Sequence, residues 1–127
     1  MQIKELLMKL LSWKSVDREA MSSLLTRQHL SCEKMTLARV ELKKGCYVPS
    51  HQHENEQISH VLEGALKFVS EGKEYVVRAG EMLVIPSHAP HDALALEDTT
   101  VLDVFAPARA DWAQGKDQYL RAGAAKK

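Results

Sequence analysis

Short segments of alternating hydrophobic and polar residues, separated by turn signals, fill most of this chain. Glycine-containing turns recur at short intervals, at Lys44-Gly45, Glu63-Gly64, Glu71-Gly72 and Ala79-Gly80. The runs between and after them favour β-strands at Ile58–Leu62, Ala65–Val69, Glu74–Arg78, Met82–Ile85, Asp92–Leu96 and Thr99–Phe105. Residues 23–29 and 34–42 are also strand-like. Many short strands with regular turns predict an all-β sandwich or barrel.

The two ends of the chain depart from this strand pattern. Apolar residues follow helical spacing over residues 3–11, which predicts a short amphipathic helix, with an added strand or a partner-contacting arm as the alternatives. The residues after Pro107 are polar with helical leanings, and we expect Trp112 and Leu120 to pack on the outside of the barrel. The sequence thus predicts a single domain over 1–127, with an N-terminal arm at 1–20, a barrel core at about 35–105 and a tail at 107–127.

Composition excludes several classes of partner. The 17 basic and 17 acidic residues balance, so no net field attracts nucleic acid or an anionic membrane. No apolar run approaches transmembrane length, and the opening segment, interrupted by Lys4, Glu5 and Lys9, lacks the features of a signal peptide. Cys32 and Cys46 are too few for a disulfide framework and are expected to be reduced thiols. We therefore expect a cytoplasmic protein without nucleic-acid or membrane partners.

Three histidines carry the candidate chemistry. His51 and His53 are two residues apart, so on an extended strand both imidazoles point to one face, and His91 follows a second glycine-bounded segment. Imidazole ligands suit zinc, copper, iron and nickel, whereas magnesium and calcium prefer oxygen. The identity of the metal is left open among zinc, nickel, iron, manganese, cobalt and copper. A lone histidine is most often an ordinary polar loop residue. Three at these spacings predict one divalent transition-metal site.

The fourth metal ligand is open between an amide and a carboxylate. Strand parity places Gln57 on the same face as the histidines and places Glu54 and Glu56 on the opposite face. A turn near Glu54 would break that count and make Glu54 or Glu56 the ligand. If Gln57 is the ligand, the metal charge stays uncompensated, and the site attracts anionic molecules.

The segment Thr99–Phe105 contains one acid, Asp103, in an otherwise apolar strand. A buried carboxylate is costly unless it is paired or protonated, so Asp103 is a candidate acid/base in the lumen. The alternative is a structural ion pair with Arg78 or Arg39. Arg109 is a candidate to bind a substrate carboxylate with two hydrogen bonds, and its alternative is a solvated pair with Asp111.

Two motifs resemble those of the cupin family. Residues 45–64 match G-x5-H-x-H-x3-E-x6-G except that Gln57 replaces the glutamate. Residues 80–95 match G-x5-P-x-G-x2-H-x3-N except that His88 replaces the glycine and Ala95 the asparagine. The resemblance implies a double-stranded β-helix, or jelly-roll barrel, that holds a metal in its mouth, with short helical segments at both ends. It also implies a homodimer, for which the apolar face of residues 3–11 offers an arm.

Within the cupins, three segments look like the small pectin-degradation group that opens the ring of 4,5-unsaturated uronates. These segments are HQHENEQISHVLEG, GEMLVIPSHAPHDALAL and LDVFAPARADW. The resemblance implies metal ligation by His51, His53, Gln57 and His91, and catalytic roles for Asp103, Phe105 and Arg109. The expected activity is ring opening to a 5-keto-4-deoxyuronate. The alternatives are a cupin-type metal-dependent dioxygenase and a non-catalytic barrel that binds acidic sugars.

Overall fold

The computed structural model describes residues 6–123 of the 127-residue chain. It contains ten strands in chain order: β1 (Glu19–Ala20), β2 (Leu25–Ser31), β3 (Thr36–Leu42), β4 (Tyr47–His51), β5 (Glu56–Glu63), β6 (Ala65–Ser70), β7 (Lys73–Arg78), β8 (Met82–Ile85), β9 (His91–Ala95) and β10 (Thr99–Ala106). A four-residue helix, α1 (Ala110–Ala113), and two 3-10 turns, at Trp13–Ser15 and Gln118–Arg121, complete the described structure.

The strands form two antiparallel sheets that enclose one core. One sheet has the order β1-β2-β3-β10-β5-β8, and the other has the order β4-β9-β6-β7. Alternate residues point inward, as strand geometry requires. On β3, for example, Thr36, Ala38, Val40 and Leu42 are all buried. The predicted all-β barrel is confirmed, and most predicted strands agree with the observed ones within two residues.

A close contact at the β5–β6 turn explains why the chain has a glycine there. Gly64 has a φ of +88°, and a Cβ atom at this position would lie 2.3 Å from the carbonyl oxygen of Asp98. Only glycine accepts both the positive φ and this approach. The turn therefore fixes the direction of β6, which pairs with β9 and supports the strand that begins at His91.

The predicted helix over residues 3–11 is wrong wherever it can be compared. Residues 6–11 form no helix, residues 3–5 lie outside the described part, and the helical turn occurs later, at Trp13–Ser15. Leu6, Met8 and Leu10 are almost fully exposed, at 87%, 99% and 99%. Because an isolated helix of nine residues is marginal in water, spacing without a packing surface does not stabilise it.

The tail packs inside the mouth of the barrel, not on its outside as predicted. Trp112 and Leu120 are buried at 8% and 9% exposure and belong to the main hydrophobic core. The buried side chain of Asp117 accepts a hydrogen bond from Arg27 of β2 at 3.0 Å, and the carbonyl of Gly123 accepts one from Tyr47 of β4. The tail is therefore held against both sheets.

Both cysteines have free thiols, Cys32 on the surface and Cys46 in the core, as predicted. Among residues 6–123 there is no helix with the length and hydropathy that crossing a membrane requires. The division into arm, core and tail remains a prediction, as do the cytoplasmic location and the homodimer.

Candidate metal centre and cavity

The fold brings the three histidines together at one end of the barrel. His51 ends β4 and pairs in register with His91, the first residue of β9, and their ring centroids lie 4.3 Å apart. His53 follows in the β4–β5 loop. The ligand atoms of the three side chains lie within 4.8 Å of one another. The cluster can therefore hold a metal ion.

Backbone carbonyls fix the orientation of all three imidazoles. Each Nδ1 lies at hydrogen-bond distance from a carbonyl oxygen two residues away, at 2.8 Å from Pro49 for His51, 3.0 Å from Asn55 for His53 and 2.9 Å from Ala89 for His91. A neutral imidazole that donates from Nδ1 keeps a lone pair on Nε2. This arrangement is the one by which metal-binding histidines are oriented in proteins.

Gln57 presents its amide oxygen to this cluster. Its Nε2 donates to Ser59 Oγ at 2.8 Å and, over a longer distance of 3.4 Å, to Asp103 Oδ1. Its Oε1 then lies 3.1 Å from Nε2 of His53. Because His53 carries its proton on Nδ1, facing Asn55, its Nε2 is an acceptor, as is Oε1 of Gln57. A cation between these two atoms relieves the repulsion between their lone pairs.

The donor set therefore fits a divalent transition metal: three imidazole nitrogens and one amide oxygen. Glu54 and Glu56 are exposed and stand outside the cluster of possible ligands. The geometry favours Gln57 over either glutamate as the fourth ligand.

Burial keeps the histidines neutral. Loss of hydration, followed by repulsion from His91, lowers the pKa of His51 to about 3, and loss of hydration together with the charge of Arg109 lowers the pKa of His53 to about 4. Burial also lowers the pKa of His91. Because metal ligands must be deprotonated, the site is ready for a cation over a wide pH range.

These shifts predict that the metal-free protein loses stability in acid. The unfolded histidines take up protons near pH 6.5, whereas folded His51 and His53 resist protonation down to about pH 4 and the pKa of His91 is also lowered. Asp103, whose folded pKa is raised to about 6, opposes this trend between pH 6 and 4, but the three histidines outnumber it. For each proton that the unfolded chain binds in excess of the folded chain, the free energy of unfolding falls by about 1.4 kcal/mol for every unit by which the pH is lowered.

Urea unfolding of chelated protein at pH 7.5, 6.5, 5.5 and 4.5 measures this dependence. We expect stability to begin to fall between pH 7.5 and 6.5, where the unfolded histidines start to take up protons, and to fall further at the two lower values. The variant His53→Gln, which removes one of the contributing groups, is expected to show a shallower fall. Equal free energies of unfolding at pH 6.5 and 4.5 would contradict the burial argument.

Asp103 lies inside the barrel and makes no ion pair with Arg78 or Arg39. Ser59 donates a hydrogen bond of 2.5 Å to its Oδ1, and Arg39 is paired with Glu41. Loss of hydration is the largest effect and raises the pKa of Asp103 to about 6, although the hydrogen bonds from Ser59 and Gln57 and the charge of Arg109 lower it. The ion pair with Arg78 or Arg39 that the sequence offered as an alternative is therefore absent from residues 6–123, and the acid/base role of Asp103 stays a prediction.

Arg109 lines the same cavity and is only 3% exposed. Its Nε and Nη2 donate to the two carboxylate oxygens of Asp111, at 2.9 and 2.7 Å. The pairing with Asp111 that the sequence offered as an alternative is present, with the arginine buried and the Asp111 side chain 30% exposed. Phe105 packs beneath the guanidinium, with Cζ 4.6 Å from the ring centroid, and edge-on to His53.

The cavity has a volume of about 60 Å³, about twice the volume that one water molecule occupies in the liquid. Polar groups cluster around part of its wall, and the tail supplies part of the apolar remainder. Its lining includes His51, Gln57, His91, Asp103, Phe105, Arg109, Trp112, Tyr119 and Leu120. Sequence analysis missed Tyr119, whose ring stacks on His51 with centroids 4.1 Å apart. The polar tail carries no periodic signal that would have placed this residue in the cavity.

Comparison with solved structures gives relatives with this architecture. KdgF from Halomonas sp. is 30% identical with a TM-score of 0.72, and the match covers 78% of this chain and 94% of KdgF. An RmlC-like cupin from Shewanella frigidimarina NCIMB 400 is 28% identical with a TM-score of 0.73, covering 78% and 90%. The polyketide cyclase RemF from Streptomyces resistomycificus is 26% identical with a TM-score of 0.68, covering 80% of each chain.

A comparison with curated protein sequences finds no match. The model of the cupin domain, in contrast, matches residues 38–105, which is more than half of the chain and includes all three clustered histidines. The sheets, the cavity and the histidine cluster agree with this match, and the chain belongs to the cupin family.

Proposed function

We propose that this cupin is a metal-dependent enzyme that opens the ring of a 4,5-unsaturated uronate to give a 5-keto-4-deoxyuronate. The observation that carries the proposal is the position of Asp103. This acid lies in the cavity beside Gln57, and Ser59 and Gln57 both donate to its Oδ1. The similarity to KdgF supports the resemblance of the motifs to the pectin-degradation cupins.

In this proposal His51, His53, His91 and Gln57 hold one divalent metal. When bound, the metal supplies Lewis-acid stabilisation of negative charge that develops on a substrate oxygen. The neutral amide of Gln57 leaves that charge undiminished, which a carboxylate ligand would not do. The donor set supports this assignment, since imidazole nitrogens and an amide oxygen suit transition metals.

Asp103 moves the proton that the reaction requires. Ring opening breaks the C1–O5 bond, forms a carbonyl at C1 and leaves an enolate oxygen on C5, so that C5 becomes a ketone when C4 is protonated. The Asp103 carboxylate removes the proton from the C1 hydroxyl and returns it to C4, so the overall reaction is an isomerisation. A folded pKa of about 6 leaves Asp103 mostly ionised at neutral pH and still basic enough to accept a proton.

Arg109 and Phe105 position the substrate. Arg109 keeps its charge inside the cavity because Asp111 holds two of its nitrogens, and the remaining nitrogen is available to a carboxylate. Phe105 forms the wall between Arg109 and His53. The cavity therefore combines a cationic group for the acid with a base for the proton.

The proposal is tested by adding purified, metal-containing protein to an unsaturated galacturonate monomer. Ring opening removes the conjugated enol ether, so we expect its ultraviolet absorbance to disappear in step with protein concentration. Elemental analysis of the same sample is expected to give about one transition metal per chain. No loss of absorbance from metal-containing protein would overturn the proposed activity. Substrate-dependent oxygen uptake with iron in the site would instead indicate a dioxygenase.

We also propose that two copies of the chain form a homodimer through the outer face of the larger sheet. The strand registers align Val84, Ile58, Val104 and Leu37 in a row across β8, β5, β10 and β3. The first three are 61%, 41% and 38% exposed. An exposed apolar stripe of this kind typically marks an interaction surface.

The N-terminal arm supports the choice of a second copy as the partner. Its apolar side chains at positions 6–10 are exposed, whereas the following segment packs on the same sheet, where Gln28 donates to the carbonyls of Trp13 and Val16. The arm therefore leaves the subunit from the same outer face of the larger sheet that carries the exposed apolar row.

We expect sedimentation to show a dimer for the full chain and a monomer after deletion of residues 1–10. The deletion leaves Trp13 and Val16 in place, so the fold is retained. Ile58→Glu, which puts a charge in the row, is expected to give the same monomer, whereas Glu74→Lys on β7 of the other sheet is not. A full-length chain that sediments as a monomer at 50 µM would contradict the dimer.

A further inference from the structure

Tyr119 stands at the point where the tail closes the cavity. It lies in the 3-10 turn Gln118–Arg121, and its ring stacks on His51 at an interplanar angle of 19°. Its hydroxyl oxygen lies within hydrogen-bond distance of Arg109 Nη2 and 2.9 Å from Trp112 Nε1. All four side chains line the cavity.

The hydrogen-bond pattern leaves the Tyr119 proton without a partner. Guanidinium and indole N–H groups only donate, so the Tyr119 oxygen accepts from both Arg109 and Trp112. Two accepted bonds fill its lone pairs, and its own O–H must then point elsewhere. Among residues 6–123, no side chain or carbonyl accepts that proton.

Arg109 also has one nitrogen without a hydrogen-bond partner in the described part of the chain. Its Nε and Nη2 are engaged by Asp111 and Tyr119, whereas its Nη1 has no hydrogen-bond partner in the described part of the chain. The residue is only 3% exposed and lines the cavity. The unpaired O–H of Tyr119 and the unpaired Nη1 group of Arg109 therefore belong to two side chains that are hydrogen-bonded to each other. The one fully buried side-chain nitrogen without a partner among residues 6–123 is Arg27 Nη1, so Arg109 Nη1 is open to a molecule in the cavity and can donate to it.

We propose that Tyr119 is a substrate-binding residue whose hydroxyl donates to an oxygen of a bound carboxylic acid, beside Arg109. The inference rests on the proposed function in one respect, since it takes the ligand to be a small acid. Arg109 supplies the charge, and Tyr119 supplies a directional neutral donor at its side. Together they favour a carboxylate over a neutral hydroxyl group, because only the carboxylate offers acceptor oxygens without a competing proton.

The variant Tyr119→Phe removes the hydroxyl and keeps the ring, so it tests the role of the hydroxyl alone. The phenyl ring still stacks on His51 and still fills the cavity wall, so metal content is expected to be unchanged. Tyr75→Phe is the matched control, because Tyr75 lies on β7 outside the cavity lining and loses the same atom.

The test uses D-galacturonate, a saturated uronate that has no 4,5 double bond to react. Calorimetric titration into metal-containing protein is expected to give a Kd about tenfold higher for Tyr119→Phe than for wild type. The Kd of Tyr75→Phe should agree with wild type within twofold. If the unsaturated uronate is turned over, Tyr119→Phe is also expected to raise its KM more than it lowers kcat.

The outcomes separate this inference from the proposed reaction. Weaker galacturonate binding by Tyr119→Phe, with no turnover of the unsaturated uronate by wild type, supports the role of Tyr119 and rejects the ring opening. Equal binding by Tyr119→Phe and wild type overturns the inference. Loss of metal from Tyr119→Phe also overturns it, because the residue then acts only by supporting His51. If wild type does not bind galacturonate, the inference is also overturned, because the small acid is then not a ligand of this site.

Discussion

Asp103→Asn is expected to lower kcat for the unsaturated uronate by a factor of about 10² to 10⁴ while the metal content stays at the wild-type value. The asparagine keeps the shape of the side chain and still accepts from Ser59, but it cannot take up a proton. Because Gln57 stands between Asp103 and the histidines, its ligand oxygen need not move. Initial rates and elemental analysis on the same preparations measure both quantities.

A matched substitution and a pH profile make this result specific. Asp98→Asn changes a carboxylate that accepts only from the backbone of Lys44 at an exposed turn, and it should leave kcat unchanged. In wild type, activity is expected to fall below pH about 6 as Asp103 becomes protonated. Ser59→Ala removes a hydrogen bond that favours the ionised form and should move that limb to higher pH. Asp103→Asn with near wild-type kcat would show that another group carries the proton.

The sequence predicts the sheets and the histidine cluster because both depend on the local spacing of strands and turns. The spacing of the glycine-bounded hairpins returns His91 to the end of β4 where His51 lies. His53 joins them from the β4–β5 loop, so the expected strand alternation is not what places it. The register that sets Asp103 opposite Ser59 pairs residues 44 positions apart and is not readable from the sequence.

The tail is not predictable in this way, because its position depends on distant partners. Trp112 packs beneath Arg27, whose Cζ lies 4.3 Å from the ring, although the two residues are far apart in sequence. Asp117 is paired with the same arginine across 90 positions. Neither contact leaves a periodic signal. Tyr119 therefore reaches the cavity through packing that only the folded chain reveals.

The N-terminal helix fails for the opposite reason. Residues 3–11 carry a local helical pattern, but the described part, 6–11, forms no helix and its apolar side chains are exposed. Apolar spacing shows which side chains could be buried together, but it does not provide the surface against which they pack. Without that surface a helix this short is not stable.

Replacing Arg27 with methionine is expected to reduce the free energy of unfolding by about 3–5 kcal/mol. The Arg27 side chain is 2% exposed and donates to Asp117, which is 7% exposed, as well as to Glu19. Methionine fills similar volume but leaves the buried Asp117 carboxylate with only the more distant and more exposed Arg121, whose Nη2 lies 4.0 Å away. Urea unfolding of metal-free wild type and variant measures the difference.

The loss should be recovered in large part by the double variant Arg27→Met/Asp117→Leu, because that change leaves no buried charge unpaired. Glu19→Gln, which alters the more exposed partner, is expected to cost less than 1.5 kcal/mol. The clamp between Arg27 and Asp117 also holds the 3-10 turn that carries Tyr119. Arg27→Met should therefore weaken galacturonate binding as well as lower the free energy of unfolding. The double variant should recover the free energy of unfolding more completely than the binding. A loss below 1 kcal/mol in Arg27→Met would show that packing of Trp112 and Leu120 alone holds the tail in the barrel.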